Sequence, residues 1–392
     1  MRRSFIHLPQ LAGLIVVMAL SAGCREEPVV APPPTRPLVP WGPEVLWEKW
    51  YDGTMWNYPR SVTATTDGGF MIGCIGSTSD TSNGLNLLKI DRDGNEQWQR
   101  VYPEPYNSSS WVVAATPDGG AIAAGYGRYT LVLVKVDASG EKQWSRVYDG
   151  DRGEYRPASI VVDPAGNYVI TGRGEGHNYG DMFVRKIAAD GEPLWLREFG
   201  GEGVDDGWKV ILGSDGGYVV SGSLTEGDLT AVPGEGETAY LIKFDAGGNT
   251  VWERKIHIPY INQSGKSVAA TPDGGYIVSA GQEAMYDTTG GMCIVKLDRN
   301  GEEQWRSNYY RIWAPARPLL SGVRGTYVAM ADGCLHGIGT SGEMLWKRPM
   351  AGANYEVSDV VLDSNGDYLV VGGGTGYRPT QTKVYVARVA RE

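Results

Sequence analysis

Histidine and cysteine are scarce in this chain, and with them most of the common routes to catalysis. Four histidines, His7, His177, His257 and His336, are scattered over 392 residues, which leaves little room for a histidine-based metal or catalytic centre. Of four cysteines, Cys24 stands near the start, while Cys74, Cys293 and Cys334 fall in apolar runs. Those three read as small buried hydrophobes rather than a disulfide framework. The sequence holds no Gly-x-Ser-x-Gly, no His-Glu-x-x-His and no phosphate loop. Positive charge is also in deficit, with 36 Lys and Arg against 46 Asp and Glu, so a general nucleic-acid role is excluded. Phenylalanine is rare, at 5 residues beside 13 Trp and 22 Tyr, so the large side chains mostly keep a polar tip.

Long apolar runs are lacking too. The run Leu11–Leu20 is too short to span a bilayer as a mature helix, and no other segment looks transmembrane. Arg2 and Arg3 precede it, and Ser21-Ala22-Gly23-Cys24 follows, the order of a secretory signal. The small residues before Cys24 resemble a bacterial lipobox, although Leu20 sits one position early and Ser21 takes its place. Residues 1–23 are therefore expected to be a lipoprotein signal peptide, and Cys24 the acylated N-terminus that anchors the mature chain. Losing Arg2 and Arg3 leaves 34 basic and 46 acidic residues, a net charge of −12. Seven prolines lie between residues 25 and 43, a composition that favours extended polyproline II. Residues 24–43 read as a spacer, and 44–392 as the folded domain.

What the chain has in abundance is one repeat. A tryptophan follows a glycine by four residues at Gly94–Trp98, Gly140–Trp144, Gly191–Trp195, Gly248–Trp252, Gly301–Trp305 and Gly342–Trp346. A seventh, Trp47, has Pro43 in the glycine's place. Apolar runs such as FMIGCIG from Phe70 and YVVSGSL from Tyr218 recur between Asp-Gly-Gly turns, as strands buried on both faces require. A period of roughly 40–57 residues with several strands per unit specifies an all-β, seven-bladed β-propeller of four-stranded blades. The last unit ends after its third strand (VYVARVARE), and the segment Glu44–Trp50 is a fourth strand without a unit. Pairing them closes the ring, so Pro43 is expected to need no turn glycine.

The Asp-x-x-Gly-x-x-x-Trp pattern resembles the tryptophan-docking repeat of quinoprotein-type propellers, one residue shorter between Asp and Gly. It is also similar to bacterial β-propeller repeats of secreted and lipid-anchored proteins. The resemblance covers residues 44–392 and implies the fold, not an activity. Quinoprotein enzymes of that class hold a calcium-bound quinone and often a vicinal cysteine pair. No two cysteines are adjacent here, so no cofactor and no metal are expected. Asp91-Arg92-Asp93-Gly94-Asn95 has the look of a calcium loop, but only its glycine recurs in the other units, so a hairpin turn accounts for it. Lys89, Lys135, Lys186, Lys243, Lys296 and Arg388 share one column of the third strand and are expected to pair with turn carboxylates.

Binding is expected on the face where loops vary. The connections between second and third strands, and those between blades, differ in length and emerge on one end. Trp56, Tyr58, Tyr106, Tyr155, Tyr260, Tyr309, Tyr310, Trp313 and Tyr355 are placed there, in the connections between blades. One column of the innermost strand reads Arg60, Trp111, Ala158, Trp208, Lys266, Arg317 and Ser358, while two positions on it is uniformly apolar from Val62 to Val360. This column is expected to ring the channel mouth. The ligand-binding residues expected are therefore Arg60, Trp111, Trp208, Lys266, Arg317, Trp56, Tyr155 and Trp313. Aromatic platforms suit a glycan, and the same aromatics with arginine suit a protein or peptide. The expected function is a lipid-anchored binding or scaffold protein of the bacterial cell envelope, monomeric, with an anionic glycan or protein ligand expected. The alternative is a polysaccharide lyase or glycosidase with its site at the mouth. Asp205 and Asp206 are adjacent and point apart on an extended chain, which does not suit the carboxylate pair of a glycosidase.

If Cys24 carries the lipid, Cys24→Ala accumulates unprocessed precursor and takes up no labelled palmitate. Arg25 follows the cysteine, with no retention aspartate, so the labelled parent should fractionate with the outer membrane where the cell has one.

Overall fold

The computed structural model describes residues 40–391, apart from 53–56, 80–81, 104–108, 128–129, 150–154, 175–179, 201–202, 226–236, 257–261, 284–290, 311, 313–318, 323–324, 351–354 and 375–382. Cys24, Trp56, Tyr106, Tyr260, Trp313 and Arg317 lie outside the described residues. The chain forms seven four-stranded antiparallel sheets. Each inner strand touches the inner strand of the next blade, and the last touches the first, so the blades close into a ring. The inner strands are Asn57–Ala64, Ser109–Ala115, Tyr155–Val162, Asp206–Leu212, Asn262–Ala270, Leu319–Ser321 and Tyr355–Leu362. The fold is a seven-bladed β-propeller.

The strand Val45–Tyr51 pairs antiparallel with Val384–Val389 and supplies the outermost strand of blade 7. Ala390 N–H donates to Glu44 O at 2.8 Å, extending the seam. The first and last strands of the propeller are thus held by the same ladder that holds any blade together.

Blade-to-blade contact explains the spacing of glycine and tryptophan. Most of these tryptophans lie over the turn glycine of the following blade; at Gly191 the side chain of Arg146 comes nearest instead. Gly94 has φ of +74° and a methyl group on it would lie 2.8 Å from the ring of Trp47, so side-chain size and backbone conformation both require glycine. The same docking joins Trp98 to Gly140, Trp195 to Gly248, Trp252 to Gly301 and Trp305 to Gly342. Four residues after the tryptophan, a tyrosine adds a latch. Tyr51, Tyr102, Tyr148 and Tyr309 donate their hydroxyls to the carbonyls of Gly94, Gly140, Gly191 and Gly342 at 2.6–2.7 Å.

The ring closure corrects one expectation. Blade 7 does have a docking glycine, Gly42, one residue before Pro43. Trp346 packs against it, too closely for any side chain there. The segment is held to the outer strand of blade 6 by Gly42 N–H to Lys347 O and Lys347 N–H to Pro40 O, both 3.1 Å. No hairpin leads into this strand as in the other blades, yet the indole still needs a flat backbone to cover it.

The column of third-strand cations is paired as expected. Lys89 meets Asp67 at 2.9 Å, Lys135 meets Asp118 at 2.7 Å, Lys186 meets Asp163 at 2.9 Å, Lys243 meets Asp215 at 2.7 Å and Lys296 meets Asp273 at 2.8 Å. Arg388 bridges Asp363 and Asp367. Blade 6 has Gly337 in the cation's column and no carboxylate from Leu319 to Ala331, so both partners are missing together. Burial alone would raise the Asp67 carboxyl, but hydrogen bonds from Lys89, Thr65 and the Gly69 amide outweigh it and hold it at about 2. Asp273 is held at about 2 by the same balance, with Lys296 and Thr271 as donors. The Asp91 carboxylate is spent on its own turn, accepting from Asp93 N–H, Asn95 N–H and the Asn95 amide, as a hairpin requires. Cys74, Cys293 and Cys334 are free thiols in the core.

Blade 6 also buries His336, which is 1% exposed with Nε2 3.2 Å from Ala331 O. Burial pushes its pKa down to about 4. Between pH 6.5 and 4 the unfolded chain therefore binds a proton that the folded chain refuses, and stability falls as pH falls, by about 3 kcal/mol over that window. The depressed carboxylates act lower: their contribution is present above pH 4 and lost as pH drops towards 2. In urea titrations, His336→Phe should flatten the upper window and leave the lower one. Trp47→Ala should cost about 3 kcal/mol, since it leaves Gly94 uncovered at the closing seam.

Candidate functional site

The inner strands enclose a channel of about 680 Å³. Its lining is set by a defect shared by nearly every blade. The inner strand is a residue out of register with its neighbour between Pro59 and Ser61, Pro157 and Ser159, Gly207 and Lys209, Gly265 and Ser267, and Val357 and Asp359. The extra residue in each β-bulge is Arg60, Ala158, Trp208, Lys266 and Ser358. A bulge turns its extra side chain out of the ladder, and all five line the channel. The variable column is thus the bulge column. Two positions on, Val62, Val113, Ile160, Val210, Val268 and Val360 are buried between blades.

Trp111 is a correction. Blade 2 carries a wider irregularity, with register passing from Ser109 to Val112, and this rotates Trp111 into the wall. It is fully buried against Gly125 and shares a cluster with Leu85, Leu87 and Tyr102. It presents no surface to the channel. Tyr155 is likewise a wall residue, 7% exposed, edge-on to Phe183 at 5.0 Å, with its hydroxyl donating to Glu198 at 2.9 Å. Tyr58, Tyr155, Tyr309, Tyr310 and Tyr355 belong to strands, not to connections between blades.

The residues that do line the channel form layers. In the outermost layer, Lys266 Nζ sits 3.9 Å above the ring of Trp208, whose Nε1–H donates to Ser223 Oγ at 3.4 Å. Arg173 meets Asp206 at 3.4 Å, and the Arg156 guanidinium lies 4.9 Å from the centre of the Tyr126 ring. Arg60 is exposed. One residue further in, the wall is Ser61, Val112, Ser159, Lys209, Ser267 and Asp359. Asp359 latches the last blade to the first, accepting from Val62 N–H at 2.9 Å and Val360 N–H at 3.0 Å. Burial raises its pKa, opposed by the charge of Lys209 and by these donors. Below this layer come Thr63, Ala114, Val161 and Val361, mostly apolar.

Five cations, Arg60, Arg156, Arg173, Lys209 and Lys266, thus share the lining with two carboxylates, Asp206 and Asp359. The chain as a whole is net −10, so the channel runs against the molecule's own charge. Arg156, Arg173, Lys209 and Asp359 escaped the sequence reading. A signal for the last two existed: they are the only charges in a column of otherwise small or apolar residues. Asp205 is fully buried and accepts from Thr225 N–H at 2.7 Å, while Asp206 lines the channel, so the adjacent carboxylates do point apart.

Fold and lining together define a β-propeller with a cation-rich axial channel. No family model matches the chain, and no curated protein matches it. Solved structures do. The WD40 domain of Neurospora crassa Pan2 is similar at 11% identity, covering 84% of this chain and 89% of that one, with a TM-score of 0.53. The polysaccharide lyase Uly1 is similar at 9% identity over 85% and 90%, TM-score 0.54. Chaetomium thermophilum Sqt1, solved with the N-terminus of ribosomal protein L10, is similar at 11% identity over 88% and 99%, TM-score 0.52. At such identities these likenesses establish the architecture alone. The group spans binding domains and an enzyme.

Wall and lining residues should separate by substitution. Trp111→Ala should destabilise by about 3–5 kcal/mol, the cost of truncating a fully buried aromatic. Arg60→Ala should stay within about 0.5 kcal/mol of the parent. Thermal or urea unfolding of the two variants checks the assignment.

Proposed function

We propose that the protein is a lipid-anchored, extracytoplasmic binding protein of the bacterial envelope that takes an anionic ligand at the mouth of its channel. The observation that carries this reading is the excess of cations in the lining of an acidic protein. Like charges gathered in a narrow opening repel one another, and an acidic ligand relieves that repulsion while gaining charge-assisted hydrogen bonds. The bulge column supports it as well. It varies from blade to blade while the column two positions on stays apolar, the pattern of a recognition surface on a fixed frame. The lipobox-like Ser21-Ala22-Gly23-Cys24 and the seven prolines between residues 25 and 43 support an envelope location.

Binding should weaken as salt rises, because charges exposed at the mouth are screened beyond about 8 Å at physiological ionic strength. Heparin serves as a polyanion probe. Arg60→Ala with Lys266→Ala should reduce its retention at 50 mM NaCl while leaving the melting temperature unchanged. Retention equal to the parent's would place anion binding outside the mouth.

A further inference from the structure

The mouth and the entry to the first strand lie at opposite ends of the ring. Each bulge stands near the start of its inner strand. Arg60 does so in Asn57–Ala64, and that strand then runs into the turn Thr65–Gly69. Lys89 ties this turn to the end of the third strand, where the next turn, Asp91–Asn95, begins. Both kinds of turn therefore gather at one end, away from the bulges. Trp47 rests there on Gly94, and Gly42 takes the place of such a turn glycine under Trp346. Residues 40–42 thus reach the propeller at the turn end, and the cation-rich mouth opens at the other.

An indole at this entry has no cover. Trp41 is 77% exposed, against 56% for Val251, the next most open of the large apolar side chains. Its backbone is held in a parallel bridge to Lys347, and the Arg348 guanidinium lies 5.4 Å from its ring centre. A fixed indole with cations beside it suits the headgroup layer of a membrane, where the ring leaves bulk water while its N–H stays among polar groups. Cys24 and Pro40 are 16 residues apart, so a lipid on Cys24 keeps this entry within about 55 Å of the bilayer even at full extension. The neighbouring turns carry exposed carboxylates, Asp93 and Asp190 among them, which do not suit a headgroup layer. The contact is therefore confined to the corner around Trp41.

We propose that the turn end rests on the membrane through Trp41 and that the mouth opens away from it. This rests on the lipid-anchored reading above. It adds where the anion comes from: the far side of the protein, not the lipids beneath it. The opposite arrangement, a cationic mouth on anionic headgroups, requires the domain to invert.

The test uses the full chain purified from membranes and reconstituted into phosphatidylcholine vesicles with an acceptor dye on the headgroups. A donor dye is placed by Thr340→Cys, in an exposed turn of blade 6, or by Arg60→Cys at the mouth. Cys74, Cys293 and Cys334 are buried, so the dye reaches the introduced thiol. Energy transfer should be at least twofold stronger from position 340 than from position 60. Trp41→Ala should lower the transfer from position 340 at least twofold without changing the melting temperature, and Trp41→Tyr should keep most of it. Equal or stronger transfer from position 60, or no effect of Trp41→Ala, would overturn the orientation and leave the anchor standing. Protein that neither floats with the vesicles nor carries palmitate would overturn the anchor and the orientation with it.

Discussion

An indole resting on the bare backbone of the next blade's turn is the contact on which this structure depends. It fixes the distance between adjacent blades, because Trp47 over Gly94 leaves no room for a side chain. It fixes the backbone as well, since the turn glycine has positive φ. At four of the joints the tyrosine four residues on binds the carbonyl of the same glycine and adds a polar component to the apolar one. Beside the first strand, Gly42 restores the joint that the missing turn would have lost. A ring of such joints is closed only when the last is made, which gives the N-terminal strand its importance.

With spacing set at the outer strands and turns set by the lysine–aspartate pairs, the bulge column of the inner strands is released from structural duty, while Asp359, one residue further in, still ties the last blade to the first. Their buried face stays apolar from Val62 to Val360. Their channel face carries a bulge at one height in five of the blades, which turns one side chain per blade into the opening. The cost of gathering cations there is borne by a frame that does not need them. Stability and recognition are thereby carried by different columns of the same repeat.

Features that repeat were legible in the sequence, because seven copies separate the constant from the variable. The blade count, the closing strand and the cation–carboxylate pairs all follow from columns. The fate of single side chains was less legible. Trp111 stands in the bulge column by counting, but a bulge one residue wider turns it into the wall, and bulge width leaves no mark in composition. Arg173 reaches the channel from a second strand, which depends on blade twist rather than on periodicity. Tyr155 looked like a loop aromatic because the strand begins earlier than its apolar pattern does.

The most direct test of the account is a crystal structure of the domain soaked with trigalacturonate. The account predicts density at the channel mouth, with a carboxylate within hydrogen-bonding distance of Arg60 or Lys266 and a sugar beside Trp208. Density lying across the outer strands, with the channel holding only solvent, would contradict it.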